Sequence, residues 1–325
     1  MKALVTGAGG FLGHALCRRL CEAGHGVRAL VREGSDRSLL SGLPVSFVQG
    51  DVTHPDSLRP AVEGVEVVFH LAGLRRAPVR GLFQEVNVEG TRHVCEAMVT
   101  AGTPRRLVFA GSLSALGPSR PGHPHGESAP FAPAEWYGES KRDAEVLTHG
   151  YGDRLEVSTI RPVRILGPGD RENLAFFRLV SRGLRLELGG GPRPLCMVDV
   201  EDVVTQMMLQ ATHPAAVGEA FFCASPEEVS LEWLQEEVAS ELGVHPRTLH
   251  LPPAVLTALA AVADGASQLT GRHLPLNRKL ARQLLAPAWT CRADKAERLL
   301  GHRSARPLSA SVRASARWYR EQGWL

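Results

Sequence analysis

The chain opens on Met1-Lys2-Ala3-Leu4-Val5-Thr6-Gly7-Ala8-Gly9-Gly10-Phe11-Leu12-Gly13, and the reading of this stretch decides the fold. Residues 2–5 form a short apolar run that ends in Thr-Gly, and residues 12–23 carry apolar side chains at helical spacing until Gly24 stops them. A strand, a glycine turn and a helix in that order are the context a dinucleotide-binding fingerprint requires. Gly7 suits the tight turn. Gly10 lets backbone N–H groups approach a pyrophosphate, which then meets the positive end of the helix. Gly13 lets the helix lie close on the strand, and Phe11 and Leu12 complete the loop. The alternative is a glycine-rich turn with no ligand.

Working outward, the rhythm repeats. Apolar runs at 27–31, 45–49, 65–71, 107–110 and 157–160 alternate with helical patterns, of which 87–101, ended by Gly102, is the clearest. Such alternation predicts an α/β fold with a doubly wound parallel sheet covered on both faces. Residues 117–133 hold five Pro and three Gly and read as a loop. The last hundred residues turn mostly helical, at 231–242, 253–269 and 278–285. The expected organisation is a Rossmann domain over 1–165 with a return at 195–225, and a smaller, mostly helical substrate cap from 166–194 and 226–325. Ligand sites of such sheets lie at the strands' carboxyl ends.

Composition excludes several alternatives. The 325 residues are 44% hydrophobic and 22% charged, with 37 Lys+Arg against 34 Asp+Glu and a net charge of +3. That is ordinary globular composition, with no electrostatic footprint for nucleic acid. Six Cys are scattered without a CxxC, so they read as reduced, buried thiols of a cytoplasmic protein. His123-Pro124-His125 lacks a third ligand, and no metal is expected. The longest apolar stretch, residues 251–263, is about 13 long, short of the ~17–25 of a spanning helix.

The end of the second strand selects the cofactor. An NAD site usually places a carboxylate there for the ribose 2′-hydroxyl. Here the sequence is Val31-Arg32-Glu33-Gly34-Ser35. Arg32 is a donor fork suited to a 2′-phosphate, and Ser35 adds a hydroxyl, so NADP is favoured over NAD. The alternative is that Arg32 stacks on adenine. Asp51 and Val52 follow the third strand and border the adenine side. Leu71, Ala72 and Gly73 end the fourth with small residues that leave the cofactor room.

Tyr137 and Lys141 are four apart and share one helix face. A phenol, with a pKa near ~10, becomes a useful acid–base beside an ammonium. Ser112 ends the fifth strand, placed to polarise the same carbonyl oxygen.

Together these segments resemble the extended short-chain dehydrogenase/reductase superfamily, the epimerase/dehydratase-like Rossmann proteins. TGAGGFLG matches its loop, HLAG its fourth strand, NVEGT its middle helix, GSLSALG its serine segment and YGESK its catalytic helix. RPVRILGPGD at 161–170 and VDVEDVV at 198–204 match later landmarks. The branch it resembles most is that of dihydroflavonol reductases and 3β-hydroxysteroid dehydrogenases. The resemblance implies a catalytic Ser112-Tyr137-Lys141 set, with Tyr137 and Lys141 also touching the cofactor. It further implies that Asn87 faces the site, that Pro162 and Val163 lie by the nicotinamide, and that Ser114 and Arg164 face the substrate. Three departures matter. Gly111 stands where many relatives carry a second Ser, and Arg164 where sugar-processing relatives often carry Asn. Leu195 stands where nucleotide-sugar relatives carry an Arg.

The sequence therefore predicts an NADP-dependent oxidoreductase interconverting a ketone and a secondary alcohol on a small or medium, mostly apolar substrate. The alternative is an NAD-dependent nucleotide-sugar epimerase or dehydratase. The expected partners are a small-molecule carbonyl or alcohol and no nucleic acid, with the chain a monomer or homodimer.

Overall fold

The computed structural model describes residues 1–270 and 277–325. In chain order its strands are β1 (Lys2–Thr6), β2 (Gly26–Val31), β3 (Val45–Gln49), β4 (Val67–His70), β5 (Arg106–Ala110), β6 (Glu156–Pro162), β7 (Arg164–Leu166), β8 (Leu184–Leu188), β9 (Leu195–Asp199), β10 (Ala220–Cys223), β11 (Glu228–Val229) and β12 (Arg247–Leu251). Seven form one parallel sheet in the order β10-β6-β5-β4-β1-β2-β3. The chain winds outward from β1 to β3, then crosses back to β4 on the other side of β1. The crevice at this reversal is where a doubly wound sheet binds its ligand.

Strand alternation fills both faces. Ala3 and Val5 point with Val27, Ala29, Phe69 and Ile160 into one core, covered by helices Phe11–Glu22 and Val200–Thr212. Leu4 points the other way, with Leu30, Val68, Leu107 and Phe109, under helices Gly90–Ala101 and Trp136–His149. The remaining chain builds a third core of Leu174, Phe177, Leu234, Val312 and Tyr319.

Two features depart from the simple pattern. The helix expected over 87–101 begins earlier, at Arg80, and passes through a wide π turn, Gln84–Glu89, before continuing as Gly90–Ala101. Beside its helices the carboxyl-terminal part contains two small sheets, β11-β9-β7 and β12-β8. Their strands are two to five residues long and are closed by long-range pairing, which leaves little local periodicity.

The glycine turn is set by close approach. Gly7 has φ +68°, and a Cβ there would lie 2.8 Å from Ala72 N. A Cβ on Gly13 would overlap the Gly7 carbonyl oxygen and Ala8 Cα. Gly13→Ala is therefore expected to destabilise the protein by about 1–3 kcal/mol through overpacking. Chemical denaturation checks this; a loss within ~0.5 kcal/mol, as at an unconstrained surface site, would refute the close packing.

Candidate active site

The elements bring most of the sequence-predicted residues to the carboxyl edge of the sheet. Gly10 ends the glycine turn, its N–H bonded to the Gly7 carbonyl at 3.0 Å, and precedes the helix Phe11–Glu22 with no side-chain cap. The first turn of that helix therefore keeps its N–H groups for a ligand. Arg32 is exposed immediately after β2, and Ser35 N–H closes the turn onto Arg32 O at 3.2 Å. The same loop approaches the glycine turn, since a Cβ on Gly9 would lie 3.3 Å from Asp36 O. Asp51 uses one carboxylate oxygen to accept the N–H and hydroxyl of Thr53, both at 2.9 Å. Val52 is clamped against Gly90, where a Cβ would come within 2.7 Å of its side chain.

A line of buried polar groups crosses the crevice floor. Leu71 N–H and Ala72 N–H both donate to Thr6 Oγ1 at 3.1 Å, and Thr6 Oγ1 lies 2.7 Å from His70 Nδ1. His70 Nε2 lies 2.9 Å from Thr91 Oγ1, whose own proton goes to Asn87 O at 2.6 Å. Thr91 can then only accept, so His70 carries its hydrogen on Nε2 and accepts from Thr6 on Nδ1. Asn87 Oδ1 accepts Leu74 N–H at 2.6 Å, while Nδ2 donates to Leu74 O at 2.9 Å and to Ser140 Oγ at 2.8 Å. Ser140 in turn donates to Tyr137 O at 2.8 Å. The line thus runs from β1 to the helix bearing Tyr137. Thr6, His70, Thr91 and Ser140 were not singled out from the sequence as site residues. Their signal was the presence of TGAGGFLG, HLAG, NVEGT and YGESK in one chain, which hold Thr6, His70, Thr91 and Ser140 in turn.

Helix Trp136–His149 is positioned at its start by Glu135, whose carboxylate oxygens accept Tyr137 N–H and Gly138 N–H, each at 2.8 Å. Gly138 is the point of contact: a Cβ there would overlap the backbone of Ser114. That contact sets the helix against the short 3-10 turn that follows Ser112. Ser112 Oγ accepts Ser114 N–H at 3.1 Å, so among the described residues its own hydrogen remains free to donate. The Tyr137 hydroxyl likewise makes no hydrogen bond among the described residues. Phe83 and the Arg75 guanidinium flank the Tyr137 ring, at 6.4 Å and 5.5 Å.

Lys141 is buried one turn further on, its Nζ 4.4 Å from the centre of the Phe109 ring. Burial lowers its pKa to about 8, partly opposed by Glu145. Glu145 itself is held by Arg161, with Nη2 and Nε on its Oε1 at 2.5 and 2.9 Å. Pro162 and Val163 are buried at the end of β6 beside β10. Arg164 follows, its Nε donating to Asn173 Oδ1 at 2.5 Å. Arg75 and Asn173 were missed by the sequence reading; only the position of Arg75, just after the end of β4, could have pointed to it. No group of three or more His, Cys, Asp or Glu poised to hold a metal occurs among the described residues, and no described helix is long and apolar enough to cross a membrane.

The glycine cradle, the open helix start and the crevice at the strand reversal fit a dinucleotide. Comparison with known proteins agrees. The sequence model of the NAD dependent epimerase/dehydratase family matches residues 3–224, and the chain belongs to that family. It is an NAD(P)-dependent enzyme acting on CH–OH or C=O groups. It is 31% identical to a ceramide reductase of Caulobacter vibrioides, over 99% of this chain and 95% of that one. It is 32% identical to sterol demethylase protein B of Methylococcus capsulatus over the full length of both. Among solved structures it is similar to MoeE5 in complex with UDP-glucuronic acid and NAD, at 25% identity and a TM-score of 0.77, covering 99% of this chain and 100% of the other.

His70 supplies a pH test of the polar line. Burial lowers its pKa to about 3, and the Lys141 charge adds to that, whereas an unfolded histidine titrates near ~6.5. Between these values the unfolded chain binds the extra proton, so the stabilisation is complete above about 6.5 and is lost as pH falls toward 3. His70→Asn is expected to lower stability at pH 7 yet flatten the fall of unfolding free energy between pH 6 and pH 4 by about one proton. An unchanged slope in denaturant melts at those pH values would show that His70 titrates freely.

Proposed function

We propose that the chain is an NADP-dependent oxidoreductase interconverting a ketone and a secondary alcohol on a small or medium, mostly apolar substrate. The observation that carries this reading is the gathering of Ser112, Tyr137 and Lys141 at the sheet's carboxyl edge, beside the glycine cradle. In this reading residues 1–165, with the return at 195–225, hold the cofactor, and the remainder caps the substrate. Gly7, Gly10, Phe11, Leu12 and Gly13 take the pyrophosphate, and Arg32 and Ser35 the 2′-phosphate. Asp51 and Val52 border the adenine. Leu71, Ala72, Gly73, Asn87, Pro162 and Val163 line the way to the nicotinamide. A bound nicotinamide dinucleotide supplies the two-electron redox chemistry.

The chain's own residues handle the oxygen and its proton. Ser112 donates to the carbonyl oxygen with the hydrogen that Ser114 leaves free. Tyr137 delivers a proton to that oxygen in reduction and removes it in oxidation. The Lys141 ammonium, held on the face of Phe109, takes the nicotinamide ribose hydroxyls. Apolar character in the substrate is supported by residues 251–263, a cap stretch without a charged side chain, and by the similarity to proteins named for ceramide and sterol chemistry.

The nucleotide-sugar reading has the NAD-bound MoeE5 likeness on its side. Against it, Leu195 is buried in the cap core, and of the nearby cations Arg178, Arg182, Arg185 and Arg193 all but the exposed Arg182 are engaged by the protein itself. Arg178 donates to Trp324 O, Arg185 to Thr248 and Glu236, and Arg193 to Gly189 O.

Two measurements test the proposal. Tyr137→Phe is expected to lower kcat about 10²–10⁴-fold while NADPH affinity, read by fluorescence titration, stays within a factor of about two; retention of half the activity would assign the proton to another group. Wild type is expected to bind NADPH at least about tenfold more tightly than NADH, a difference of ~1.4 kcal/mol, and Arg32→Asp to reverse the order. Equal affinities in wild type, or purification with stoichiometric NAD, would overturn the NADP assignment.

A further inference from the structure

One corner of the site holds an arginine whose fork is fixed by the protein at one nitrogen and, among the described residues, left open at the other two. Arg164 emerges directly after Val163, at the carboxyl end of β6. Its Nε is fixed by Asn173 Oδ1 at 2.5 Å, and its guanidinium lies 5.3 Å from the centre of the Phe176 ring. Asn173 is fully buried and itself immobilised, donating through Nδ2 to Ile165 O at 3.0 Å and to Asp170 Oδ2 at 2.5 Å. The fork is thus aimed by a fixed support. Among the described residues, neither terminal nitrogen of Arg164 has a protein acceptor.

The carboxylates nearby are already used. Asp170 accepts Glu172 N–H at 2.7 Å and Asn173 N–H at 3.1 Å besides the Asn173 amide. Glu172 takes Arg76 at 2.8 Å and Arg75 at 3.8 Å. Burial lowers the pKa of Arg164; Asp170 opposes that, and the Arg75 charge adds to it. Arginine stays protonated in proteins, so Arg164 is a partly desolvated cation whose terminal nitrogens lack a protein acceptor among the described residues. Arg75 in turn lies over the ring of Tyr137 at 5.5 Å, which joins the cationic corner to the proton-transfer residue.

We propose that Arg164, seconded by Arg75, binds a carboxylate on the carbonyl substrate, a few bonds from the reacting carbon, which makes the substrate an oxoacid with an apolar chain. This rests on the reductase reading above and narrows it. A planar fork held at Nε presents its terminal nitrogens to one anion, and a carboxylate matches two such donors with its two oxygens. The ion pair then forms where the cation has already lost part of its water, so less remains to be stripped on binding.

The test separates the anion site from the reductase reading. Octanoate and methyl octanoate, which cannot be reduced, are titrated by calorimetry into the full-length chain with and without NADPH. Octanoate is expected to bind at least about tenfold more tightly than the ester; Arg164→Gln removes that difference and Arg164→Lys keeps part of it. Equal affinity of acid and ester, or a difference that survives Arg164→Gln, overturns the proposal. Oxooctanoates with the ketone at carbon 3, 4 or 5 are then compared with their methyl esters by NADPH oxidation. An acid-to-ester ratio in kcat/KM of about ten or more for at least one isomer, falling toward one in Arg164→Gln, supports the proposal, and equal turnover of acids and esters refutes it. If neither series is consumed while octanoate binding still depends on Arg164, the reductase reading fails and the anion site stands.

Discussion

The Thr6 hydroxyl is the point on which the rest of the site depends. It sits fully buried at the carboxyl end of β1, in register with His70 of β4 at the strand reversal. A buried hydroxyl without partners costs about 1–3 kcal/mol, and each unpaired N–H a similar amount. Thr6 removes three such liabilities at once by accepting Leu71 N–H and Ala72 N–H and donating to His70. From there the donor directions are forced. His70 gives its proton to Thr91, Thr91 gives its own to Asn87 O, and the Asn87 amide is left to span Leu74 and Ser140. Because every member is satisfied in only one sense, the line fixes the Tyr137 helix relative to the end of β4. Loose apolar packing would not define that spacing as sharply.

The π turn at Gln84–Glu89 is the local cost of this arrangement. A regular helix from Arg80 to Ala101 would space its side chains at a uniform 3.6-residue period. The wide turn locally rotates the succeeding helix, so that Asn87 reaches Leu74 while Gly90 meets Val52. Such turns recur at functional sites because they let one side chain leave the regular ladder. Here the leaving side chain is the amide that bridges the two halves of the crevice. Gly90 makes the same accommodation sterically, since the end of β3 has no space for a Cβ opposite Val52.

The glycine turn, the alternation of strands and helices and the Tyr137–Lys141 spacing were legible in the sequence because each is encoded locally. Gly7 needs a positive φ, short apolar runs between turn residues declare buried strands, and an i,i+4 pair declares a helix face. The features that escaped were encoded by distance. The π turn has no compositional mark; residues 87–101 show ordinary helical periodicity. The pairing of β8 with β12 joins Leu184–Leu188 to Arg247–Leu251, segments whose kinship appears only after the cap folds. Gly138 lies within YGESK, and its missing Cβ is what lets the helix rest on the Ser114 backbone. His70, within HLAG, joins Thr6 to Thr91 as one member of the polar line.

The pair formed by Glu145 and Arg161 escaped for the same reason, and it governs the charge on the opposite side of the Tyr137 helix. Gly138, Lys141, Glu145 and Thr148 make one buried stripe, an arrangement that on an ordinary helix would be apolar. Left alone, Glu145 would be the natural partner of Lys141, one turn away, and would draw its ammonium from the phenol. Arg161 prevents this by engaging the carboxylate through both Nε and Nη2, while its own Nη1 is tied to Glu127 O at 2.8 Å. The carboxylate is thereby tied to Arg161 of β6, while the Lys141 ammonium rests on Phe109. The same carboxylate bears on Gly111. A Cβ at that position would stand 2.9 Å from Thr159 Cγ2 and 3.1 Å from Glu145 Oε2, inside the space the carboxylate occupies. Position 111 thus leaves room for the fixed carboxylate, and Ser112 is the hydroxyl that follows β5.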